Sequence, residues 1–199
     1  MNFLAHLYLS KNNINLLIGN YIADHIRGNK FNHYNKEIQQ GILLHREIDT
    51  FTDTHPIVRK SKRRLHERYG HYDGVIIDIF YDHFLAKNWN RYSEIPLELY
   101  SKSVYQLLKK NEDILPEKSI QFLKYMIEYD ILYHYKSIAG IQKVLNGMNY
   151  RTKGKSQMNL AIEDLENLHK ILEADFTEFF EDLRNFCSQK LLEISQSNI

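Results

Sequence analysis

Three features of this 199-residue chain predict an all-α, single-domain helical bundle. Apolar side chains recur at steps of three and four through nearly every segment, the period of a helix face. Only three prolines and eight glycines interrupt them, mostly where helices should begin or stop. No two-residue turn signal lies between alternating β-branched runs, so the mark of a hairpin is missing.

Asn12, Asn13 and Asn15 open a helix through Leu17, Tyr21 and Asp24, with Gly28-Asn29 as its stop. The next spans about Lys36 to Asp53. Pro56 suits the first turn of another, through Arg59–Tyr69, ended by Gly70. Asp73 is a suitable N-cap for Val75–Trp89. Pro96 and Pro116 start helices over about 96–110 and 116–128, and residues 133–149 form one more. The charged tail from Gln157 to Ile194 reads as two helices meeting near Glu173–Asp175. There is no internal repeat and no low-complexity linker. Hydrophobic content of 43% and charged content of 26% are globular proportions, so one folded domain over residues 1–199 is expected.

The net charge of +1 argues against a protein held to nucleic acid by bulk charge. A lone cysteine, Cys187, excludes an internal disulfide framework and suits a reducing compartment. The start, MNFLAHLYLSKNN, is too short in apolar residues for a signal peptide, and no stretch is long enough to span a bilayer. The expectation is a cytoplasmic protein with no nucleic-acid or membrane partner.

Function begins with polar groups on apolar faces. In GILLHREIDTFTD, Ile38, Ile42, His45, Asp49 and Asp53 fall near one line along a helix. His6 follows Phe3 by three residues and sits beside Leu7. Leu17, Tyr21 and Asp24 are spaced four and three apart. Asp82 and His83 flank the inward position set by Ile79, and Asp78 shares the side of Asp82. Burying one neutral polar group unpaired costs roughly 2–7 kcal/mol, and an ion costs more. Four segments carrying such groups inward are explained if the groups meet around a divalent cation, whose binding offsets their desolvation. Mixed nitrogen and oxygen ligands suit Mn²⁺, Fe²⁺ or Zn²⁺ better than Ca²⁺. The plainer explanation is a set of core histidines bonded to carbonyls and aspartates paired with arginines.

FLAHLYL at 3–9, GNYIADHIRGN at 19–29, GILLHREIDTFTD at 41–53, DIFYDHFLAKNW at 78–89 and VLNGM at 144–148 occur in that order. Together they resemble the bacterial acyl carrier protein phosphodiesterase family. The resemblance implies a divergent, HD-domain-like phosphohydrolase, helical and dependent on Mn²⁺, with Mg²⁺, Fe²⁺ or Zn²⁺ as alternatives. It also implies a partner, acyl carrier protein, and a reaction: hydrolysis of the phosphodiester joining 4′-phosphopantetheine to its serine. One departure stands out. HD enzymes carry a contiguous His-Asp pair, whereas this chain has Asp24-His25 and Asp82-His83 in reversed order.

On this basis His6, Asp24, His45, Asp49, Asp82 and His83 are expected to form the metal shell and its supports. Asp49, Asp78 and Arg46 are expected to serve the reaction, with Asp78 and Asp53 orienting histidines through their far nitrogens. Arg27, Arg46 and Arg151 are the candidates for holding phosphate, since guanidinium matches its oxygens bidentately. Residues 59–68, RKSKRRLHER, carry six Arg/Lys against one Glu. Arg59, Lys60, Lys62, Arg63 and Arg64 there form either a solvated face or a docking face for an acidic carrier protein. Trp89 is either a channel wall or a core residue. Two rivals share these features: a phosphohydrolase acting on a nucleotide or other small ester, and a non-enzymatic adaptor binding acidic proteins. A di-iron carboxylate bundle fits less well, because Glu166-x-x-His169 has no good second copy.

Overall fold

A computed structural model describes residues 1–11 and 13–196. Asn12, expected at the start of the second helix, lies outside the described residues. The elements are α1 (Phe3–Leu9), α2 (Ile14–Ile22), α3 (Lys36–Thr54), α4 (Pro56–Tyr69), α5 (Asp73–Lys87), α6 (Leu97–Lys110), α7 (Glu117–Glu128), α8 (Ile131–His134), α9 (Ile138–Arg151), α10 (Ala161–Asn167) and α11 (His169–Gln196). No strand occurs among the described residues, and no helix there is long and apolar enough to cross a membrane. The protein is all-α.

Local chemistry sets most helix limits. The side chains of Asn13 and Asn35 accept from Leu16 N–H at 3.0 Å and Ile38 N–H at 2.9 Å, capping α2 and α3. Three boundaries differ from expectation. α2 ends at Ile22, and Asp24 sits in a short 3₁₀ turn, Ala23–His25. Residues 133–149 are divided at Ser137, whose hydroxyl accepts from Gly140 N–H at 3.1 Å and starts α9 afresh. The tail breaks at Leu168, so α11 runs straight through Glu173–Asp175. Asp73 does not cap α5; its carboxylate accepts from His66 Nδ1 at 2.8 Å.

α5 is the axis of the fold. Residues 79–86 are buried without a break, so this helix is apolar all round and has no outward face over that stretch. α1, α4, α9 and α11 pack around it. Phe80, Phe84, Phe176, Phe179 and Phe180 fill the space between α5 and α11. Trp89 belongs to this core: it is buried against Tyr8 and Tyr100, and its Nε1 donates to the Ile95 carbonyl at 2.8 Å. α2 and α3 stand to one side of that axis, and α1 joins them to it.

Candidate metal centre

α2 and α3 touch backbone to backbone. A Cβ on Gly19 would collide with the Ile38 carbonyl, and one on Gly41 with the Leu16 carbonyl, so only glycine permits this approach. Asn20 follows Gly19 directly, and His45 lies one turn beyond Gly41. The helix contact therefore delivers both side chains to one place, beneath α1.

Asn20 organises what happens there. Its Nδ2 donates to the His6 carbonyl at 2.7 Å and to Ser10 Oγ at 3.0 Å. A carbonyl only accepts, so the amide orientation is settled and Oδ1 faces the imidazoles. Oδ1 accepts from His6 Nδ1 at 3.0 Å and from His45 Nδ1 at 2.9 Å, and His45 Nδ1 also reaches the Asn20 backbone carbonyl at 3.0 Å. Each imidazole thus carries a proton on Nδ1 and directs Nε2 the other way. The two rings stack with centroids 4.0 Å apart. Both Nε2 atoms meet one carboxylate: His6 lies 3.2 Å from Asp49 Oδ1, and His45 lies 3.2 Å from Asp49 Oδ2. Asp24 Oδ1 is a further 3.2 Å neighbour of His45 Nε2.

Burial and the adjacent His45 push His6 down to about 4, although Asp49 partly offsets this. Burial also opposes a charge on His45, but Asp24 and Asp49 overcome it and raise His45 to about 9. Hydrogen bonds from His45 and His6 outweigh burial at Asp49 and hold it well below the usual carboxylate range. The hydrogen bond from His45 lowers Asp24 too. A second proton on His45 and a cation are alternatives for the same position. His6, His45 and Asp49 offer donor atoms within 4.8 Å of one another, the one such group among the described residues. Two imidazole nitrogens fixed from behind and a carboxylate in front fit a divalent transition ion.

This cluster lies on the floor of a pocket of about 800 Å³. Its lining combines the acids Asp24, Asp49, Asp53 and Asp78 with apolar Phe3, Phe122, Ile131, Val144 and Met148. Arg151 stands on the wall. His25, which carried no expectation, lines the pocket as well and bonds Ser119 Oγ at 2.8 Å through Nδ1.

Several expected residues are elsewhere. Asp82 accepts from Leu4 N–H at 2.7 Å and Ala5 N–H at 3.2 Å, satisfying the first turn of α1 rather than joining the cluster. His83 Nδ1 donates to the Tyr135 carbonyl at 2.7 Å, and its ring faces His169. Neither lines the pocket. Asp78 and Asp53 do line it, but neither orients a histidine. Asp78 pairs with the Met1 α-ammonium at 3.0 Å, and Asp53 with Lys62 at 2.7 Å. The far nitrogens belong instead to Asn20. Arg46 is turned away: Nη2 donates to the Gly28 carbonyl at 2.6 Å and the Ile26 carbonyl at 3.3 Å, and the guanidinium covers Phe31. Arg27 is exposed and outside the lining. Four of the five docking candidates on α4 already hold internal partners. Arg59 donates to the Asp53 carbonyl, Lys62 pairs with the Asp53 carboxylate, and Lys60 and Arg64 converge on buried Asp175. Arg63 is exposed.

Asn20 is the residue that helical spacing missed. A signal was present, since it lies one turn before Asp24 and one turn after Leu16. Asparagine is not among the usual metal ligands, and here its Oδ1 accepts two hydrogen bonds while its Nδ2 donates two.

Fold and site together define an all-helical protein with an imidazole–carboxylate centre in a pocket lined by both acidic and apolar side chains. A family model described as "Acyl carrier protein phosphodiesterase" matches residues 1–183, and the chain belongs to that family of hydrolases. Among similar proteins, the acyl carrier protein phosphodiesterase of Photorhabdus laumondii is 32% identical over 183 residues, 90% of this chain and 91% of the relative. That of Salmonella agona is 31% identical over 196 residues, covering 96% and 100%. That of Enterobacter sp. (strain 638) is 31% identical over 181 residues, covering 90% and 94%. No solved structure matches the chain.

Proposed function

We propose that this protein is a metal-dependent phosphodiesterase that cleaves 4′-phosphopantetheine from the serine of holo-acyl carrier protein. The observation that carries this is the His6–His45–Asp49 triangle, with both Nδ1 atoms held by Asn20, in a pocket that is also lined by apolar side chains. The carrier-protein family of the chain and the names of its relatives support the substrate.

Electrostatics favours a cation here. Asp53 and Asp78 are paired with Lys62 and the Met1 α-ammonium, so the negative charge that an incoming anionic phosphodiester would meet is that of Asp24 and Asp49, which a cation between them would offset. A divalent ion supplies acidified water and neutralises the phosphoryl oxygens. His6, His45 and Asp49 would hold it, with Asp24 within reach. Mn²⁺ is the first choice, and Fe²⁺, Zn²⁺ or Mg²⁺ are alternatives. Asn20 keeps the imidazole nitrogens aimed and in the right tautomer. Arg151, in the same lining, binds the phosphoryl oxygens, and the apolar residues Phe3, Phe122 and Met148 receive the pantetheine chain. Water adds to phosphorus, the bond to the serine oxygen breaks, and the serine leaves with a proton. The products are apo-carrier protein and 4′-phosphopantetheine.

Mass spectrometry of holo-acyl carrier protein incubated with and without Mn²⁺ tests this. The expected result is loss of the prosthetic group only with metal, and none with Asp49→Ala. Turnover of a nucleotide panel with an untouched carrier protein would replace this function by the small-ester one. Full activity after exhaustive chelation would remove the metal.

A further inference from the structure

The residues that close the pocket also open a second surface. Tyr150 and Arg151 line both the metal pocket and a shallower hollow of about 740 Å³, bordered further by Asn146, Asn149, Lys153 and Gly154. Tyr150 is 86% exposed, the most exposed large apolar side chain among the described residues. The loop beyond it is a built frame. Gly154 N–H donates to the Asn149 carbonyl at 2.9 Å, and Thr152 Oγ1 to the same carbonyl at 2.9 Å. Buried Ser156 ties Thr152 to the Asn149 side chain. Lys153 (φ 54°) and Gly154 (φ 78°) both take left-handed conformations, which reverse the chain and leave Lys153 and Lys155 exposed.

Charge separates this loop from α4. Residues 131–162 contain no Asp or Glu, yet carry Lys136, Lys143, Arg151, Lys153 and Lys155. Among the described residues none of Arg151, Lys153 and Lys155 makes an ion pair. The denser run on α4 is largely neutralised by Asp53, Asp175, Glu163 and Asp164. Positive charge without an ion-pair partner is carried here by the loop, where Arg151 and Lys153 border the pocket or its neighbouring hollow, and by Lys118 of α7, which acts on His25.

We infer that Tyr150, Lys153 and Lys155 form the docking surface for the protein substrate, an acidic helical protein whose prosthetic arm enters the adjoining pocket. This rests on the function proposed above. An acidic helix laid across Lys153 and Lys155 brings its modified serine to the pocket mouth, with Tyr150 as the apolar anchor beside it. The bulk of the partner stays outside, and the phosphate meets Arg151 at the seam. Attraction of this kind acts over about 10 Å at moderate salt, so it speeds encounter and is lost at high ionic strength.

The test is binding of fluorescently labelled apo-acyl carrier protein, which has no bond to cleave, together with steady-state kinetics. Lys153→Glu combined with Lys155→Glu should weaken anisotropy-measured binding about tenfold and raise KM for holo-carrier protein to match, with kcat unchanged. Hydrolysis of bis-(para-nitrophenyl) phosphate should not move, which shows that the variant is folded. Raising salt from about 50 to 500 mM should weaken wild-type binding much more than that of the double variant. Arg63→Glu should be nearly silent. A larger loss from Arg63→Glu than from the loop pair, or equal effects on carrier protein and small diester, would overturn the docking assignment. So would failure of the wild type to bind apo-carrier protein. Binding without turnover of the holo form would instead sink the proposed activity and leave the surface standing.

Discussion

The dipeptide Asp-His occurs twice, at 24–25 and 82–83, and the two copies have opposite fates. Asp82 and His83 sit in the middle of α5, buried on all sides: Asp82 spends both oxygens on the Leu4 and Ala5 N–H groups, whereas His83 gives Nδ1 to the Tyr135 carbonyl and keeps Nε2 buried without a hydrogen bond. Asp24 and His25 sit in the turn after α2, at the edge of a pocket. Their partners are side chains, His45 for Asp24 and Ser119 for His25. The Asp24 side chain is still 52% exposed. A backbone partner cannot be displaced without unmaking a helix end, so both oxygens of Asp82 are tied to the start of α1. A titratable partner beside open space can exchange a proton for an ion, so the other region is free to do chemistry. In neither dipeptide do the two neighbours act together.

The sharpest way to break that contrast is a pair of alanines. Asp49→Ala should lower turnover by about 10³-fold or more and abolish stoichiometric Mn²⁺, with the melting temperature nearly unchanged. Asp82→Ala should do the reverse, costing about 2–4 kcal/mol of stability by leaving two buried N–H groups without an acceptor while the metal is still bound. Thermal melts and metal analysis on both variants decide it, and a metal-free Asp82→Ala protein would show that α5 does ligate.

Next in size is the support behind the imidazoles. Asn20→Ala should weaken metal affinity about 10–100-fold, because both rings lose the acceptor that fixes their tautomer. His83→Gln, whose amide can still donate to a carbonyl, should leave that affinity where it was. Isothermal titration with Mn²⁺ reads both. The two arginines come third. Arg151→Ala should raise KM about tenfold, whereas Arg46→Ala should leave KM alone and cost about 1–2 kcal/mol by freeing the Ile26 and Gly28 carbonyls.

The smallest effect is on pH. In chelator-treated protein, His45 is raised by Asp24 and Asp49, against burial, to about 9 from 6.5. A raised imidazole contributes its stabilisation in full below pH 6.5 and loses it as pH climbs through about 9. Water around the half-exposed carboxylates screens the interaction, leaving about 1–2 kcal/mol. Melts of the chelated protein should therefore decline across that window, and those of His45→Asn should stay level. A level wild-type profile would mean that His45 takes up no second proton.

Helical spacing went far on α3 because that helix has two distinct faces. His45 and Asp49 share a side four residues apart, and the structure sets His6 of α1 against them and Asp24 beside them. The same reasoning misfired on α5. Placing Asp82 and His83 inward was true but uninformative, since over residues 79–86 every direction is inward. Arg46 misled for a related cause: its place within a motif carried no sign that two loop carbonyls needed its guanidinium. The helix boundaries missed at Ser137 and Leu168 are short-range breaks without proline, where the periodic pattern of apolar residues continues across the gap.

By itself the sequence determined the helical class, most of the caps and stops, and the family, because these depend on neighbours within a few residues or on ordered blocks. Tertiary structure alone decided which inward polar groups share a partner. Spacing specifies the face from which a side chain leaves its helix. What stands opposite is set by a crossing such as that of Gly19 with Gly41, where two backbones far apart in sequence come close enough for Asn20 to hold two histidines at once.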